Sequence, residues 1–92
     1  MAETHRILLV DDEELVRKVM RAMLESFDFE VVEAANGQEG LDTFLKEAPD
    51  LVFTDLQMPV MDGLGLIAQL KEQSPDTPII VVSGTGNVQS AI

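Results

Sequence analysis

Short aliphatic runs set between segments of helical period constrain this chain most. Ile7-Leu8-Leu9-Val10, Phe29-Glu30-Val31-Val32-Glu33-Ala34, Leu51-Val52-Phe53-Thr54 and Ile79-Ile80-Val81-Val82 have the length and composition of strands. Leu51–Thr54 and Ile79–Val82 are almost wholly apolar, as strands buried on both faces are. Residues 29–34 mix β-branched and charged side chains, which predicts a place nearer the sheet edge.

Between the first two runs, Leu15, Val16, Val19, Met20, Met23, Leu24 and Phe27 recur at helical spacing. Arg17, Lys18, Arg21 and Glu25 fall on the other side, and Glu13–Arg17, Glu14–Lys18 and Arg21–Glu25 are spaced for i,i+4 pairing. The expected helix runs from Glu13 to Ser26. Asn36-Gly37 is a turn and helix entry. The segment from Gln38 to Ala48 then places Leu41, Phe44, Leu45 and Ala48 inward, and Pro49 ends it. A third helix, Gly63 to Gln73, turns Leu64, Ile67 and Leu70 inward, with a first turn loosened by Gly63 and Gly65. Ser74–Pro78 reads as a loop, and Val88–Ile92 as the opening of a further helix.

Strands alternating with helices predict an α/β chain, a parallel sheet with right-handed crossovers. Ligands of such sheets bind beyond the carboxyl ends of the strands. Asp11 and Asp12 follow the first run, Asp55 the third and Ser83 the fourth, so all four fall at that end. Beyond Asp55, Pro59 prevents a simple continuation of the strand, and Asp62-Gly63 makes a turn. A carboxylate at the mouth of a buried strand, held by a stiffened loop, suits a reacting group. Glu13 and Glu14 are explained by the helix dipole alone. Two adjacent aspartates are one more than a cap needs, and the second is what a metal site would add.

At 92 residues the chain makes one domain at most. The net charge of −11 argues against nucleic-acid binding by this segment. No cysteine is present, which excludes disulfides, thiolate chemistry and Cys-ligated zinc. No run approaches the roughly 18 apolar residues of a membrane span, and residues 1–6 lack a signal-peptide core. The expected location is cytoplasmic, with no membrane partner.

Leu9-Val10-Asp11-Asp12-Glu13, Asp55-Leu56-Gln57-Met58-Pro59-Val60-Met61-Asp62-Gly63 and Val82-Ser83-Gly84 together resemble the receiver domain of two-component response regulators. The resemblance extends from Arg6 onward. It implies a flavodoxin-like doubly wound parallel sheet in the order 2-1-3-4-5. It also implies that Asp55 takes a phosphoryl group from a histidine kinase or phosphotransfer protein and switches conformation to control an output. By the same resemblance, Asp11, Asp12, Asp55 and the backbone carbonyl of Gln57 bind Mg²⁺. Ser83 contacts a phosphoryl oxygen and swings inward on activation, and the side chains of Gln57 and Thr85 flank the site. Such a domain acts as a phosphoacceptor switch rather than as an enzyme on an external substrate.

The family pattern continues through a fifth strand bearing a phosphoryl-contacting Lys, and through a last helix. Neither is in these residues, and Lys46 and Lys71 fall on helices, away from the site. Residues 1–92 are therefore expected to form a single, C-terminally incomplete receiver domain, with an output domain or partner beyond Ile92. Without its neighbour, Ile79–Val82 would be an open edge prone to self-association. Two other readings remain open at this point. One is a phosphorylation-independent interaction module. The other is a nucleotide- or flavin-binding protein, suggested weakly by Ser83-Gly84-Thr85-Gly86-Asn87 after a strand and opposed by the lack of Trp and Tyr.

Overall fold

The computed structural model describes residues 5–55, 62–82 and 88–90. The elements are β1 (Arg6–Val10), α1 (Glu14–Ser26), β2 (Glu30–Ala34), α2 (Gly37–Glu47), β3 (Leu51–Thr54), α3 (Gly63–Gln73), β4 (Ile79–Val82) and β5 (Val88–Ser90). They build one sheet in the order β2-β1-β3-β4-β5. The first four strands in that order are parallel, so the 2-1-3-4 arrangement of the expected doubly wound fold is present. The reversal of direction at β1 puts α1 on one face and α2 with α3 on the other.

Alternate strand residues divide between those faces. Leu8, Val10, Ala34, Val52 and Ile79 meet Phe44 of α2 and Leu66 and Leu70 of α3 in one buried cluster. Ile7, Leu9 and Val31, on the opposite face, are also buried. Phe53 and Ile80 are only half-buried there. The expectation that β3 and β4 are buried on both faces therefore holds for one face, because α1 packs over β1 and β2. Among the described residues no helix is long and apolar enough to cross a membrane.

Of the segment 88–92, expected to open a helix, the described residues 88–90 do not form one. Val88–Ser90 is a strand antiparallel to β4, pairing Ile80 with Ser90, Val81 with Gln89 and Val82 with Val88. It occupies the side of β4 that was expected to be open. A strand edge carries unpaired amides and carbonyls, and the nearest β-compatible backbone satisfies them. A fifth parallel strand and a last helix are not among the described residues.

Local hydrogen bonds fix two helix starts. Asn36 Oδ1 accepts the Glu39 amide at 2.8 Å, and Asp62 Oδ1 accepts the Gly65 amide at 2.8 Å. Asp62-Gly63 is thus both a turn and a cap. At the end of α2, Ala48 is the C-cap in left-handed conformation, φ 46°, rather than an inward residue of the last turn. Leu45 and Leu64, both expected inward, are exposed, and Leu66 is buried instead. In α3 the buried Gly63, Leu66 and Leu70 share one edge, which rotates Leu64 to solvent.

Helix α1 shows the largest departure from the sequence pattern. Its N-cap is Glu13, whose side chain makes no capping bond, so neither aspartate caps the helix. Instead Asp11 Oδ1 accepts the Glu13 amide at 2.9 Å, fixing the turn just before it. Of the expected apolar face, Val16, Met20 and Leu24 are half-buried. Leu15 (74% exposed), Val19 (57%), Met23 (56%) and Phe27 (70%) form an outward row. The Glu13–Arg17 pair is not formed. Arg17 and Arg21 both reach Glu33 on β2, which rolls the helix so that its basic side flanks the sheet. The other two expected pairs are present, Lys18–Glu14 at 3.3 Å and Arg21–Glu25 at 3.2 Å.

Two consequences can be measured. A Cβ on Gly40 would lie 3.0 Å from Val10 Cγ2 and 3.3 Å from Leu66 Cδ2, in the seam joining α2, α3 and β1. Gly40→Ala should therefore lower stability by about 1–3 kcal/mol in a denaturant titration, despite alanine's better helix propensity. Glu33 is held below its ordinary value of 4.5 by its hydrogen bond to Arg21 first and by Arg17 as well, against the opposing effect of burial. A depressed carboxylate stabilises the fold above its unfolded value and loses that contribution as pH falls through its folded value. Acid unfolding below pH 4.5 should accordingly be shallower in Glu33→Gln, which should also be less stable than the parent at neutral pH.

Candidate functional site

The two inner strands of the parallel sheet end together, and each ends on an aspartate. The Asp11 amide donates to the Ala34 carbonyl at 3.1 Å, and the Asp55 amide donates to the Val10 carbonyl at 3.1 Å. Both residues therefore continue the ladder by one rung, which aligns their side chains at the carboxyl ends of β1 and β3. Asp12 extends the first of them. One carboxylate oxygen from each of Asp11, Asp12 and Asp55 can be chosen so that all three lie within 4.8 Å of one another.

Their environments differ. Asp11 is buried, Asp55 half-buried and Asp12 exposed. Burial pushes the Asp11 carboxyl above its usual range. The Glu13 amide opposes that shift, while the charges of Asp55, Asp12 and Glu13 add to it. An elevated acid beside two others marks a site where negative charge has been gathered against its own repulsion. Thr54, buried beneath, donates its hydroxyl to the Asp55 carbonyl at 3.0 Å.

Three oxygen donors converging in this way suit a small hard cation. Mg²⁺ prefers one or two carboxylates with water and a phosphoryl oxygen completing its shell. Three carboxylate oxygens within 4.8 Å of one another are close enough to share one such ion. The geometry and donor chemistry fit Mg²⁺.

Of the residues expected at the site, Asp11, Asp12 and Asp55 are brought together. Ser83, Thr85 and Gln57, with its carbonyl, lie outside the described residues. Lys46 and Lys71 occupy the last turns of α2 and α3, which lead into the opposite end of the sheet. Sequence reasoning missed Arg17, which it placed on the solvent face. Its Nη1 donates to the Asp11 carbonyl at 2.6 Å and its Nε to Glu33 Oε1 at 3.2 Å. The available signal was Glu33 itself, an acid inside a β run one strand away from the acid cluster.

Residues 7–92 match the family model described as the response regulator receiver domain. A probable transcriptional regulator, ycf27, of Porphyra purpurea is 41% identical over 86 residues, which cover 94% of this chain and 35% of that protein. The similar solved structures include two that share most of this chain. The response regulator TrrA of Thermotoga maritima, in complex with Mg²⁺-BeF, has a TM-score of 0.84 and 34% identity, covering 87% of this chain and 70% of that one. A receiver domain protein from Clostridium thermocellum has a TM-score of 0.84 and 31% identity, covering 89% and 67%. The chain spans about a third of the length of the ycf27 regulator and similar curated relatives, and about a fifth of others. With the matched sheet order, the acids at its carboxyl edge and a family match over nearly all of its length, this chain belongs to the response regulator receiver domain family.

Proposed function

We propose that Asp55 is the phosphoacceptor of a signalling switch. What carries the reading is the convergence of Asp11, Asp12 and Asp55 at the ends of β1 and β3. The phosphoryl donor is a sensor histidine kinase or phosphotransfer protein. The Asp55 carboxylate attacks phosphorus in line, the P–N bond to the donor imidazole breaks, and an acyl phosphate forms on Asp55. Asp11 and Asp12, with the Gln57 carbonyl, hold Mg²⁺. When bound, the ion neutralises the charge that accumulates as one anion attacks another. A structural relative in complex with Mg²⁺-BeF supports this assignment. Ser83 is the residue that contacts the new phosphoryl oxygen and moves toward it.

The half-buried position of Asp55 matches this role. Its amide and carbonyl are fixed, the first on Val10 and the second by the Thr54 hydroxyl, so its place at the end of β3 is set by the main chain. The switch acts on an output domain or a separate partner. Self-association through Ile79–Val82 would have to displace β5, which already pairs with that strand.

Acetyl phosphate with Mg²⁺ should add one phosphoryl group to the purified protein, mapped by mass spectrometry to Asp55, and Asp55→Asn should abolish it. A phosphoryl group on Thr54 or Ser83 of the parent protein would refute the assignment.

The metal site has its own readout. Asn at position 11 keeps an oxygen for the Glu13 amide and removes a buried charge repelled by Asp55, Asp12 and Glu13. Asp11→Asn should therefore melt higher than the parent in EDTA, yet gain little or nothing from added Mg²⁺. A parent protein that is not stabilised by Mg²⁺ would exclude the site.

A further inference from the structure

We propose that Arg17 is a positioning residue for the Mg²⁺ site, holding the Asp11–Asp12 turn to the sheet edge through Glu33. The inference rests on the metal assignment given above and extends it to α1.

Arg17 is an unusual surface residue. Its side chain is only 16% exposed, although it stands in the first half of a helix in which no residue is fully buried. The guanidinium bridges two elements. Nη1 donates to the Asp11 carbonyl at 2.6 Å, and Nε donates to Glu33 Oε1 at 3.2 Å. Glu33 is paired with Leu9 in the strand register, so it stands on the α1 face two residues before the Asp11 level of the sheet. Glu33 is itself held on its other oxygen by Arg21.

The target of the guanidinium decides its role. It grips the backbone carbonyl of Asp11 and leaves the carboxylate to other partners. With the Asp11 amide on Ala34 and Oδ1 on the Glu13 amide, every main-chain polar group of Asp11 is fixed, and so is one side-chain oxygen. Asp12 follows that carbonyl directly, so the orientation of this peptide unit sets where the exposed Asp12 carboxylate points. A planar fork spanning a carbonyl and a carboxylate is a geometry lysine cannot reproduce. Residues one layer outside the ligands characteristically change metal affinity by about 10–100-fold when they are removed.

Charge and positioning predict opposite results. Arg17 is a cation close to a cation site, so removing it should, by electrostatics alone, tighten Mg²⁺ binding. If its role is positioning, removal should weaken binding.

Calorimetric titration of Mg²⁺ against the purified protein tests this, alongside thermal melting in EDTA. Arg17→Ala is expected to raise the Mg²⁺ Kd by about 10-fold or more. Arg21→Ala serves as the control: it breaks the same Glu33 cluster without touching Asp11, and should lower the melting temperature while leaving the Kd near the parent value. Unchanged or tighter binding in Arg17→Ala overturns the proposal, and so does equal weakening in Arg21→Ala. If Arg17→Ala does not fold, Arg17→Lys and Glu33→Gln decide. Both should bind Mg²⁺ more weakly than the parent, and parent-like affinity in both overturns the proposal. A parent protein that binds no Mg²⁺ overturns the metal assignment together with it. Normal parent binding with parent-like Arg17 variants overturns this inference alone.

Discussion

The structure depends on β1 being enclosed on all four sides. Its backbone pairs with β2 along one edge and β3 along the other, and Ile7 to Val10 are buried on both faces. Burying an aliphatic side chain stabilises by roughly 1.5–3 kcal/mol, so this short segment supplies an outsized share of a small domain's stability. Its two ends are fastened differently. At the start, the Arg6 guanidinium binds Glu30 and both the side chain and carbonyl of Glu47, while its amide binds Asp50. At the finish stand the acids. The strand is thus clamped by opposite charges at one end and strained by like charges at the other.

That contrast describes how stability and chemistry are divided. The Arg6 end gathers β1, β2, α2 and the approach to β3 into one electrostatic knot. The Asp11 end accepts a buried, elevated carboxyl because two flanking strands and the Arg17 bridge hold it there. Relaxing the acid cluster would favour the metal-free fold and remove the reason for the site. A destabilised functional centre on a rigid support is the usual form of this compromise.

Much of this was legible in the sequence, for identifiable reasons. Strands β3 and β4 and helix α3 have the boundaries their patterns predict, because apolar runs bounded by Pro, Gly and Asp leave few alternatives. Asp11, Asp12 and Asp55 were legible as a group once the alternation of strands and helices put their strands in parallel. What was not legible required knowing which neighbours compete for a surface. The apolar residues of α1 cover more than half its circumference, so periodicity could not choose between Val16-Met20-Leu24 and Leu15-Val19-Met23-Phe27. Glu33 made the choice by drawing Arg17 and Arg21 toward β2. Likewise, Val88–Ser90 is too short for its own sequence to decide between helix and strand. The outer side of β4 decides it.

The acids at the end of the sheet are also its last rungs, since the amides of Asp11 and Asp55 close the ladder on Ala34 and Val10. Whatever occupies their side chains is therefore bound by the residues that must separate before β1 can open. Ligation and amide protection of the central strand become one equilibrium. At a hundred times its dissociation constant, a ligand adds about 2.7 kcal/mol to the free energy of any opening that releases it. That slows hydrogen exchange limited by such openings by about a hundredfold. Occupancy of the acid site is then recorded in the least exchangeable part of the molecule, and a core strand becomes the place where the ligand's presence is kept.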